Sequence, residues 1–245
     1  MTGIQLRNVT FGYRKKDKLL DNINLNIESG SFIGITGING SGKTTFAFLL
    51  NGLVPQEIPG YYSGNTCVEG VDTRSKPVSY FSSKVGLVFQ NPDQMIFNLT
   101  VFEEVAFGLR NLDKQSVIDR VKNSLQSVGL KGFENRDPQT LSFGQKQKLC
   151  MACILAVDPQ YIVLDEVTSM LDYKSTVQLY DILVSLHKKG KTVIIIEHDT
   201  DWLAKYANRV IILHGGKIRF YGTPKQVFSN KKTLSDLGIK IPADL

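Results

Sequence analysis

The chain has 245 residues, of which 42% are hydrophobic and 21% charged, and its formal net charge is +6. These fractions are typical of a soluble protein with a substantial core, and they exclude a low-complexity chain. The positive charge is compatible with nucleic acid, nucleotides or an anionic membrane face, and it selects none of them. No stretch approaches the roughly 20 apolar residues of a membrane helix, and the first residues lack the apolar run of a secretory signal, so we expect a cytosolic chain.

The front section of the chain, up to about residue 32, alternates apolar and polar side chains over short runs, which is typical of β-strands. We predict strands in "IQLRNVTFGY" and "LLDNINLNIESGSF" that meet at the turn "ESG". Further on, we predict a buried strand "FIGIT", a helix from Lys43 to Leu53, a strand pair within residues 61–73 and a buried strand from Val85 to Phe89.

Residues from about 92 to 158 show helical periodicity and are predicted to form a helical subdomain, with helices in "TVFEEVAFGLRNL", in "SVIDRVKNSLQSVGL" and after Ser142. The strands "YIVLDE", "TVIIIEH" and "RVIILHGGKIRFYG" then alternate with helices near residues 173–189 and 200–206, which predicts a mostly parallel sheet. Residues 223–245 are interpreted as a short C-terminal extension, with one helical signal in "TPKQVFSN" and a polar link after it.

The three cysteines, Cys67, Cys150 and Cys153, do not make a disulfide framework. Cys150 and Cys153 form a C-x-x-C pair inside the apolar run "LCMACILAV", but no second pair or suitably spaced histidines complete a zinc site. We interpret both as small core residues on one helix face.

The stretch "GINGSGKTT" fits the phosphate-loop pattern G-x-x-x-x-G-K-[ST] and lies between a buried strand and a helix, as that loop requires. Backbone N–H groups of such a loop bind phosphate oxygens, and the helix N-terminus adds a favourable dipole. We expect Lys43 to reach the outer phosphates and the Thr44 hydroxyl to ligate Mg²⁺. The nucleotide-binding residues predicted here are Gly37, Asn39, Gly40, Ser41, Gly42, Lys43, Thr44 and Thr45. A glycine-rich turn without a ligand is the alternative.

Two acids end the predicted strand "YIVLDE". Asp165 is the expected second Mg²⁺ ligand, because an acid at the end of a buried strand can face the metal across the phosphate loop. Glu166, one residue later, is placed to orient or deprotonate an attacking water. A solvated strand end is the alternative reading of this pair.

The stretch "LSFGQ", residues 141–145, begins a helix. Ser142 and Gln145 fit a capping box, in which each side chain accepts from the other residue's backbone N–H. Gly144 needs another explanation, because glycine in a helix costs roughly 0.5 to 1 kcal/mol relative to alanine.

These motifs, in this order with Gln90, "SMLD" and His198, resemble those of the nucleotide-binding subunits of ATP-binding cassette (ABC) proteins, over nearly the whole chain. The resemblance implies a P-loop ATPase of the α/β class within residues 1–222. Its fold has a mostly parallel core sheet, an antiparallel β subdomain and a helical subdomain.

By the same resemblance, Tyr13 stacks on adenine, with core packing as the alternative reading. Gln90 contacts Mg²⁺ or the attacking water, and His198 hydrogen-bonds the γ-phosphate. Asp172 contacts the facing subunit. Glu166, His198, Gln90 and Lys43 are therefore the expected catalytic residues, and Thr44, Gln90 and Asp165 the expected metal-binding residues.

The resemblance also explains the LSFGQ stretch, which corresponds to a signature usually written L-S-G-G-Q. Ser142, Gly144 and Gln145 are expected to bind the γ-phosphate of ATP held by a second, identical or homologous subunit placed head to tail. Phe143 replaces the first signature glycine. In the first helical turn its φ is negative and a side chain is allowed, whereas a close approach of backbone to phosphate would make it an obstruction. We expect tolerance, because Ser142, Gly144 and Gln145 remain.

The segment "FQNPDQMIFNLTVFEEVAFGLRNL" resembles that of energy-coupling factor transporters and the related cobalt and nickel importers, roughly Q-N-P-D-x-Q-x-F followed by T-V-x-x-[DE]-V-A-F-G. Met95 stands where the second glutamine is expected, with Gln94 one position earlier. The matching residues are Gln90, Asn91, Pro92, Asp93, Phe97, Thr100, Val101, Glu104, Val105, Ala106, Phe107 and Gly108. This segment begins the helical subdomain and is the expected surface for helices of a membrane partner. Packing of Met95, Ile96 and Phe97 in the core of that subdomain is the alternative.

The expected function is an ATP-hydrolysing subunit, using ATP and Mg²⁺, that powers uptake of a vitamin or transition-metal ion at the cytoplasmic face of the cell membrane. Its partners would be a second ABC ATPase subunit and integral membrane transport subunits, without nucleic acid. A soluble ABC-type ATPase acting on nucleic acid or ribosomes is the main alternative, which the positive charge allows. A nucleotide sensor with little turnover is a third, against which the intact Lys43, Glu166 and His198 argue.

Overall fold

The computed structural model describes residues 3–243, which form two β-sheets and ten α-helices. The first sheet is antiparallel and has the strand order β2-β1-β4-β5. Its strands are β1 (Gly3–Gly12), β2 (Leu20–Glu28), β4 (Tyr61–Val68) and β5 (Val71–Asp72). The turn "ESG" was expected to join the first two strands, and this is wrong. It follows β2 and leads into the other sheet, while residues 13–19 connect β1 to β2.

The second sheet forms the centre of the molecule, with the strand order β10-β9-β3-β8-β7-β6. Its strands are β3 (Phe32–Thr36), β6 (Val85–Val88), β7 (Tyr161–Asp165), β8 (Thr192–Ile196), β9 (Arg209–His214) and β10 (Lys217–Gly222). All neighbours are parallel except β9 and β10. These two form a hairpin, because Gly215 and Gly216 adopt positive φ (56° and 71°) and reverse the chain. The predicted α/β class, with a mostly parallel core and an antiparallel β subdomain, is confirmed.

Helices connect and cover the strands. They are α1 (Lys43–Leu50), α2 (Leu53–Gln56), α3 (Val78–Ser82), α4 (Val101–Asn111), α5 (Val117–Ser127), α6 (Phe143–Val157), α7 (Tyr173–Lys188), α8 (Thr200–Tyr206), α9 (Pro224–Phe228) and α10 (Lys231–Asp236). The first helix ends three residues earlier than predicted, and the expected polar link near residue 231 is instead the helix α10. None of the helices in residues 3–243 is both long and apolar enough to span a membrane.

The central sheet separates two hydrophobic cores, because successive side chains of its buried strands point to opposite faces. On β8, Val193 and Ile195 face one core, while Ile194 and Ile196 face the other. The first core also contains α4, α5, α6 and part of α7, and the second contains α1 and the antiparallel sheet. Strands buried on both faces need continuous apolar runs such as "TVIII", which explains why they are legible in the sequence.

Candidate active site

The phosphate loop and the predicted metal-binding and catalytic residues lie at one edge of the central sheet, where the parallel strands β3, β6, β7 and β8 all end. The phosphate loop follows β3, Gln90 follows β6, Asp165 ends β7 and His198 follows β8. Ligands bind at this edge in open α/β sheets, since the loops that follow parallel strands converge there.

The phosphate loop needs its glycines for two physical reasons. A Cβ on Gly37 would lie 2.2 Å from the Leu213 carbonyl oxygen, so a side chain cannot fit. Gly42 has φ 97° and precedes the first residue of α1, a conformation that favours glycine. The backbone can therefore curl tightly and present the N-terminus of α1 outward, which is the geometry of an anion site.

Lys43 is buried and held inside the loop. Its ammonium donates to the carbonyl oxygens of Gly37 and Ile38, at 3.0 and 3.2 Å, and lies 3.4 Å from the Glu166 carboxylate. A buried ammonium needs such partners, because desolvation without them costs several kcal/mol. Lys43 thereby joins the phosphate loop to the end of β7.

Two buried oxygen atoms at this edge lack a hydrogen-bond partner among residues 3–243, and one of them belongs to Asp165, an expected Mg²⁺ ligand. Asp165 is buried, its Oδ1 has no hydrogen-bond partner among residues 3–243, and the Ser41 hydroxyl is likewise buried and unpartnered there. Burial raises the pKa of the Asp165 carboxyl, and a hydrogen bond with the Thr44 side chain opposes that shift. Carboxylate and hydroxyl oxygens are hard ligands of the kind that Mg²⁺ takes, so Asp165 and Thr44 fit the metal.

Glu166 and His198 form a pair, with 2.9 Å between His198 Nε2 and Glu166 Oε1. The same carboxylate oxygen faces Lys43. Glu166 has a φ of 51°, a left-handed conformation that is uncommon outside glycine, and its backbone N–H donates to Ile196 O at 3.0 Å. Such backbone strain, of order 1 to 3 kcal/mol, clusters at active sites, where it aims a side chain.

Tyr13 lies beside the phosphate loop. Its hydroxyl is 3.0 Å from the Thr45 hydroxyl, and its ring meets the edge of Phe11 at 5.2 Å between centroids. The side chain is 53% exposed, which argues against the core-packing alternative. The exposed ring is available for stacking on a base.

Gln90 is exposed, and its backbone is tied to the helix that carries the LSFGQ stretch. The Gln147 side chain on α6 donates from Nε2 to Gln90 O at 2.8 Å. A second link joins Lys146 to Asp93 at 2.6 Å. The segment after β6 and the start of α6 are therefore connected by two polar contacts.

The predicted capping box is present at the start of α6. Gln145 N donates to Ser142 Oγ at 3.3 Å, and Ser142 N donates to Gln145 Oε1 at 3.0 Å. A Cβ on Gly144 would lie 3.5 Å from Leu171 Cδ2, an ordinary contact, so packing within this chain does not require glycine there. Phe143 is half-buried in the first helical turn and is not among the residues with positive φ. No hydrogen bond or ion pair within residues 3–243 joins Ser142 to Lys43.

Asp172 caps the start of α7, where Ser175 N donates to its Oδ1 at 2.7 Å. Hydrogen bonds from Ser175 lower the pKa of its carboxyl. Its expected contact with a facing subunit stays a prediction, since a cap explains the aspartate locally.

A family model described as "ABC transporter" matches residues 20–169, which contain the phosphate loop, Gln90, the LSFGQ stretch, Asp165 and Glu166. The chain belongs to the ABC transporter ATPase family. It is thus an ATP-hydrolysing subunit of a transporter, since members of the family bind and hydrolyse ATP, act as dimers and work with membrane subunits.

Known relatives match this ABC ATPase along most of its length. A Pyrococcus abyssi protein, named provisionally as an ABC transporter ATP-binding protein, is 42% identical, and the match covers 99% of this chain and 88% of the relative. The energy-coupling factor transporter ATP-binding protein EcfA of Methanocaldococcus jannaschii is 39% identical, with coverage of 98% and 85%.

Solved structures agree with this assignment. The cbiO1 protein of Clostridium perfringens, part of the ABC transporter complex cbiONQ, superimposes with a TM-score of 0.81 at 29% identity and covers 96% of this chain and 94% of its own. A dimeric ATP-binding cassette in a post-hydrolysis state, bound to ADP and Pi, gives a TM-score of 0.79 at 28% identity, with coverage of 90% and 98%.

Two residues in or beside the site, Glu197 and Gln147, were missed by sequence reasoning. Glu197 is 3% exposed, its Oε1 has no partner among residues 3–243, and burial raises the pKa of its carboxyl to about 8. An acid directly after the apolar run "TVIII" was the available signal. The sequence around Gln147 gave no such signal, because its contact partner Gln90 is 57 positions away.

The C-x-x-C pair lies in α6, as predicted. Burial raises the pKa of the Cys150 thiol to about 12 and that of Cys153 well above its ordinary value, so both stay protonated. Within residues 3–243, no cluster of histidine, cysteine and acidic side chains forms a metal site of its own.

Proposed function

We propose that this ABC ATPase powers import of a vitamin or a transition-metal ion through separate membrane subunits of an energy-coupling factor type transporter, at the cytoplasmic face of the membrane. The identity to EcfA and the similarity to cbiO1 support the import type. Neither comparison supports a factor that acts on nucleic acid or ribosomes. In this proposal residues 92–158 are the helical subdomain of an ATPase domain at 1–222, and the residues from 223 onward are an extension.

The proposed catalytic roles follow from the contacts at the sheet edge. Glu166 accepts a proton from the attacking water, and His198 and Lys43 hold the carboxylate of Glu166 in place from two sides. His198 also bonds the γ-phosphate, Lys43 neutralises the outer phosphates, and Gln90 orients the water. A bound Mg²⁺, held by Thr44, Asp165 and Gln90, would stabilise negative charge on the phosphates.

The nucleotide is held from two chains in this proposal. Tyr13 stacks on the base, while the phosphates lie on Gly37, Asn39, Gly40, Ser41, Gly42, Lys43, Thr44 and Thr45. Ser142, Gly144 and Gln145 of a second subunit close the site, with Asp172 at the contact. No hydrogen bond or ion pair joins Ser142 to Lys43 within residues 3–243, which agrees with a site shared between two subunits. Solved dimers of similar cassettes agree with a dimeric assembly.

The membrane partner is proposed to bind beside the start of α4, and this surface is the observation that carries the import proposal. Phe97 is 62% exposed, and its ring meets that of Phe107 edge-on at 4.7 Å between centroids. Leu99, two residues later in the same loop, is also exposed. Exposed apolar side chains in one patch mark a protein contact. The core-packing alternative holds for Ile96, which is buried, and not for Phe97.

The segment that resembles the importer pattern also explains why the loop with Phe97 and Leu99 has a fixed shape. Glu104 is buried, and its Oε2 accepts from the backbone N–H groups of Phe97 and Asn98, at 2.9 and 2.7 Å. Thr100 caps α4 by accepting from Glu103 N at 3.1 Å. The acid and the threonine of the importer-like pattern therefore hold the loop that presents Phe97.

Co-purification tests this function. Affinity-tagged chain extracted from membranes in mild detergent should carry integral membrane proteins, and Phe97→Asp should lose them while retaining ATP binding. Ile118→Asp is the matched control, because Ile118 on α5 is 58% exposed and lies outside the loop. Recovery of the wild-type chain with ribosomes or DNA and without membrane protein would overturn the proposal.

A further inference from the structure

Residues 231–243, here called the C-terminal segment, pack against the residues that follow His198. Leu234 and Ile239 are buried in the same core as Leu203 of α8. Ile239 N donates to Leu234 O at 2.9 Å, which closes the turn after α10. The segment is thus a packed part of the fold, and it directs its next residue, Lys240, toward α8.

Four polar contacts join the segment to the start of α8. Lys240 Nζ lies 2.6 Å from Asp199 Oδ1 and 2.6 Å from Asp201 Oδ2. Thr200, which is fully buried, donates its hydroxyl to Lys240 O at 3.0 Å, and Ala243 N donates to Asp201 Oδ1 at 2.7 Å. Every residue from 199 to 201 is therefore bound by the C-terminal segment.

Some of these contacts hold Asp199, the residue directly after His198. Asp199 Oδ1 caps α8 by accepting from Asp201 N at 3.2 Å, and Lys240 binds that same oxygen. The hydrogen bond from Lys240 is the largest cause of the lowered pKa of Asp201. Without Lys240, the two acids at the start of α8 would lose the cation that they share and would repel each other.

The segment also approaches the phosphate loop. A Cβ on Gly238 would lie 3.3 Å from Ile38 Cγ2, so the backbone at Gly238 passes close to that loop. Gly238 has φ 69°, which favours glycine at this point. The C-terminal segment thus contacts both the phosphate loop, which holds Lys43, and the residues that follow His198.

We propose that Lys240 is a positioning residue, through which the C-terminal segment holds His198 against Glu166. The proposal rests on the role proposed above for His198. Exposed ion pairs contribute little to global stability, so the expected effect of Lys240 is on the local order of His198 rather than on folding.

Nuclear magnetic resonance of the histidine rings tests this directly, because the chain has three histidines. In the full chain, Lys240→Ala should move or broaden the ring signals of His198, while those of His187 and His214 stay in place as internal references. Lys240→Arg should restore them. Arg74→Ala is the matched control, since it removes an exposed ion pair with Asp72 (2.8 Å) in the antiparallel sheet. An unchanged His198 signal in Lys240→Ala overturns the proposal.

Kinetics separate this proposal from the function it rests on. Lys240→Ala should lower kcat about fivefold, a coupling of the size seen between contacting residues, and leave KM for ATP and the melting temperature nearly unchanged. In a His198→Ala background the same substitution should have no further effect. A lowered rate in His198→Ala with a normal rate in Lys240→Ala refutes the positioning role and leaves the catalytic role standing. A normal rate in His198→Ala refutes both.

Discussion

The phosphate loop and the LSFGQ stretch both lie at helix N-termini, yet their surroundings within the chain differ. Lys43 is buried, and its ammonium contacts two loop carbonyls and Glu166, which in turn contacts His198. Ser142 is exposed, and its side-chain partner is the cap residue Gln145. The first region joins its predicted catalytic residues within one chain, whereas the second has contacts only within its own cap. This difference is what the proposed function expects, because there a second chain completes the site.

The largest expected effect on ATP turnover comes from a substitution beside the phosphate loop, at Glu166. Glu166→Gln should lower ATP turnover by at least about 100-fold, since it removes the general base while keeping the size of the side chain. ATP should then hold two subunits together, so size-exclusion chromatography with ATP should show a dimer that the wild type forms only transiently. Glu57→Gln, an exposed acid in the connection after α2, is the control. A normal rate in Glu166→Gln would exclude this residue as the base.

The second prediction tests whether the phosphate loop and the LSFGQ stretch of one ATP site come from different chains. Lys43→Ala and Ser142→Ala chains should each be nearly inactive alone, but a mixed dimer should contain one intact site, with Lys43 from one chain and Ser142 from the other. In a Glu166→Gln background, the mixed dimer should therefore trap one ATP per two chains. Each single-variant dimer should trap none, and a dimer with neither substitution should trap two.

The matched control is a mixture in which one chain carries both Lys43→Ala and Ser142→Ala, and the other carries neither. It contains the same number of substitutions, yet leaves each site with one defect, so it should trap no ATP. If the double-variant mixture trapped one ATP and the single-variant mixture none, the LSFGQ stretch would serve the nucleotide of its own chain. Melting temperatures check that Lys43→Ala folds, since it leaves Glu166 without its buried partner.

A third prediction concerns Glu197, which lies behind the enclosed site. Its carboxyl pKa is about 8 because it is buried and faces the charges of Glu166 and Asp199, whereas the ordinary value is 4.5. The unfolded chain therefore loses this proton at lower pH than the folded chain, so stability falls as the pH rises from 4.5 to 8. Between pH 6 and 8 the loss amounts to about 2 kcal/mol.

Glu197→Gln removes this titration, so its melting temperature should fall less than that of the wild type between pH 6 and 8, by roughly 4 to 8 °C. Groups that do not face Glu197 titrate equally in both proteins, which makes the difference between the two curves the measured quantity. Parallel curves would show that Glu197 is ionised in the folded protein. Glu57→Gln again serves as the control, because an exposed acid should leave the slope unchanged.

The sequence could predict those features whose pattern and physical cause lie within a few neighbouring residues. The glycines of the phosphate loop and the apolar runs of β3, β7 and β8 are short patterns whose physical cause lies within a few residues. The hairpin between β9 and β10 was missed although Gly215 and Gly216 are adjacent, because the run "RVIILHGGKIRFYG" is apolar on both sides. A glycine pair there was the overlooked turn signal.

Contacts between distant parts of the chain could not be predicted in this way. Lys240 is 41 positions from Asp199, and Gln147 is 57 from Gln90, so no sequence spacing relates them. Glu166 and His198 were expected at the same sheet edge because both follow parallel strands, but their direct contact required the fold. The predicted roles of the LSFGQ residues depend on a second chain and remain proposals.

The smallest expected effect concerns Phe143, where the usual signature has glycine. Phe143 lies in the first turn of α6 outside the positive-φ residues, so its backbone does not need glycine there, and the capping box of Ser142 and Gln145 is intact. Phe143→Gly should therefore change ATP turnover of the assembled transporter by less than about threefold, with a small loss of stability from the glycine itself. Phe143→Ala separates the loss of the ring from the added backbone freedom. A manyfold gain in turnover from both substitutions would mean that the ring obstructs closure on the partner's nucleotide. Phe143 would then weaken the action of the LSFGQ stretch on the partner's nucleotide. The LSFGQ stretch and the phosphate loop would differ in activity as well as in geometry.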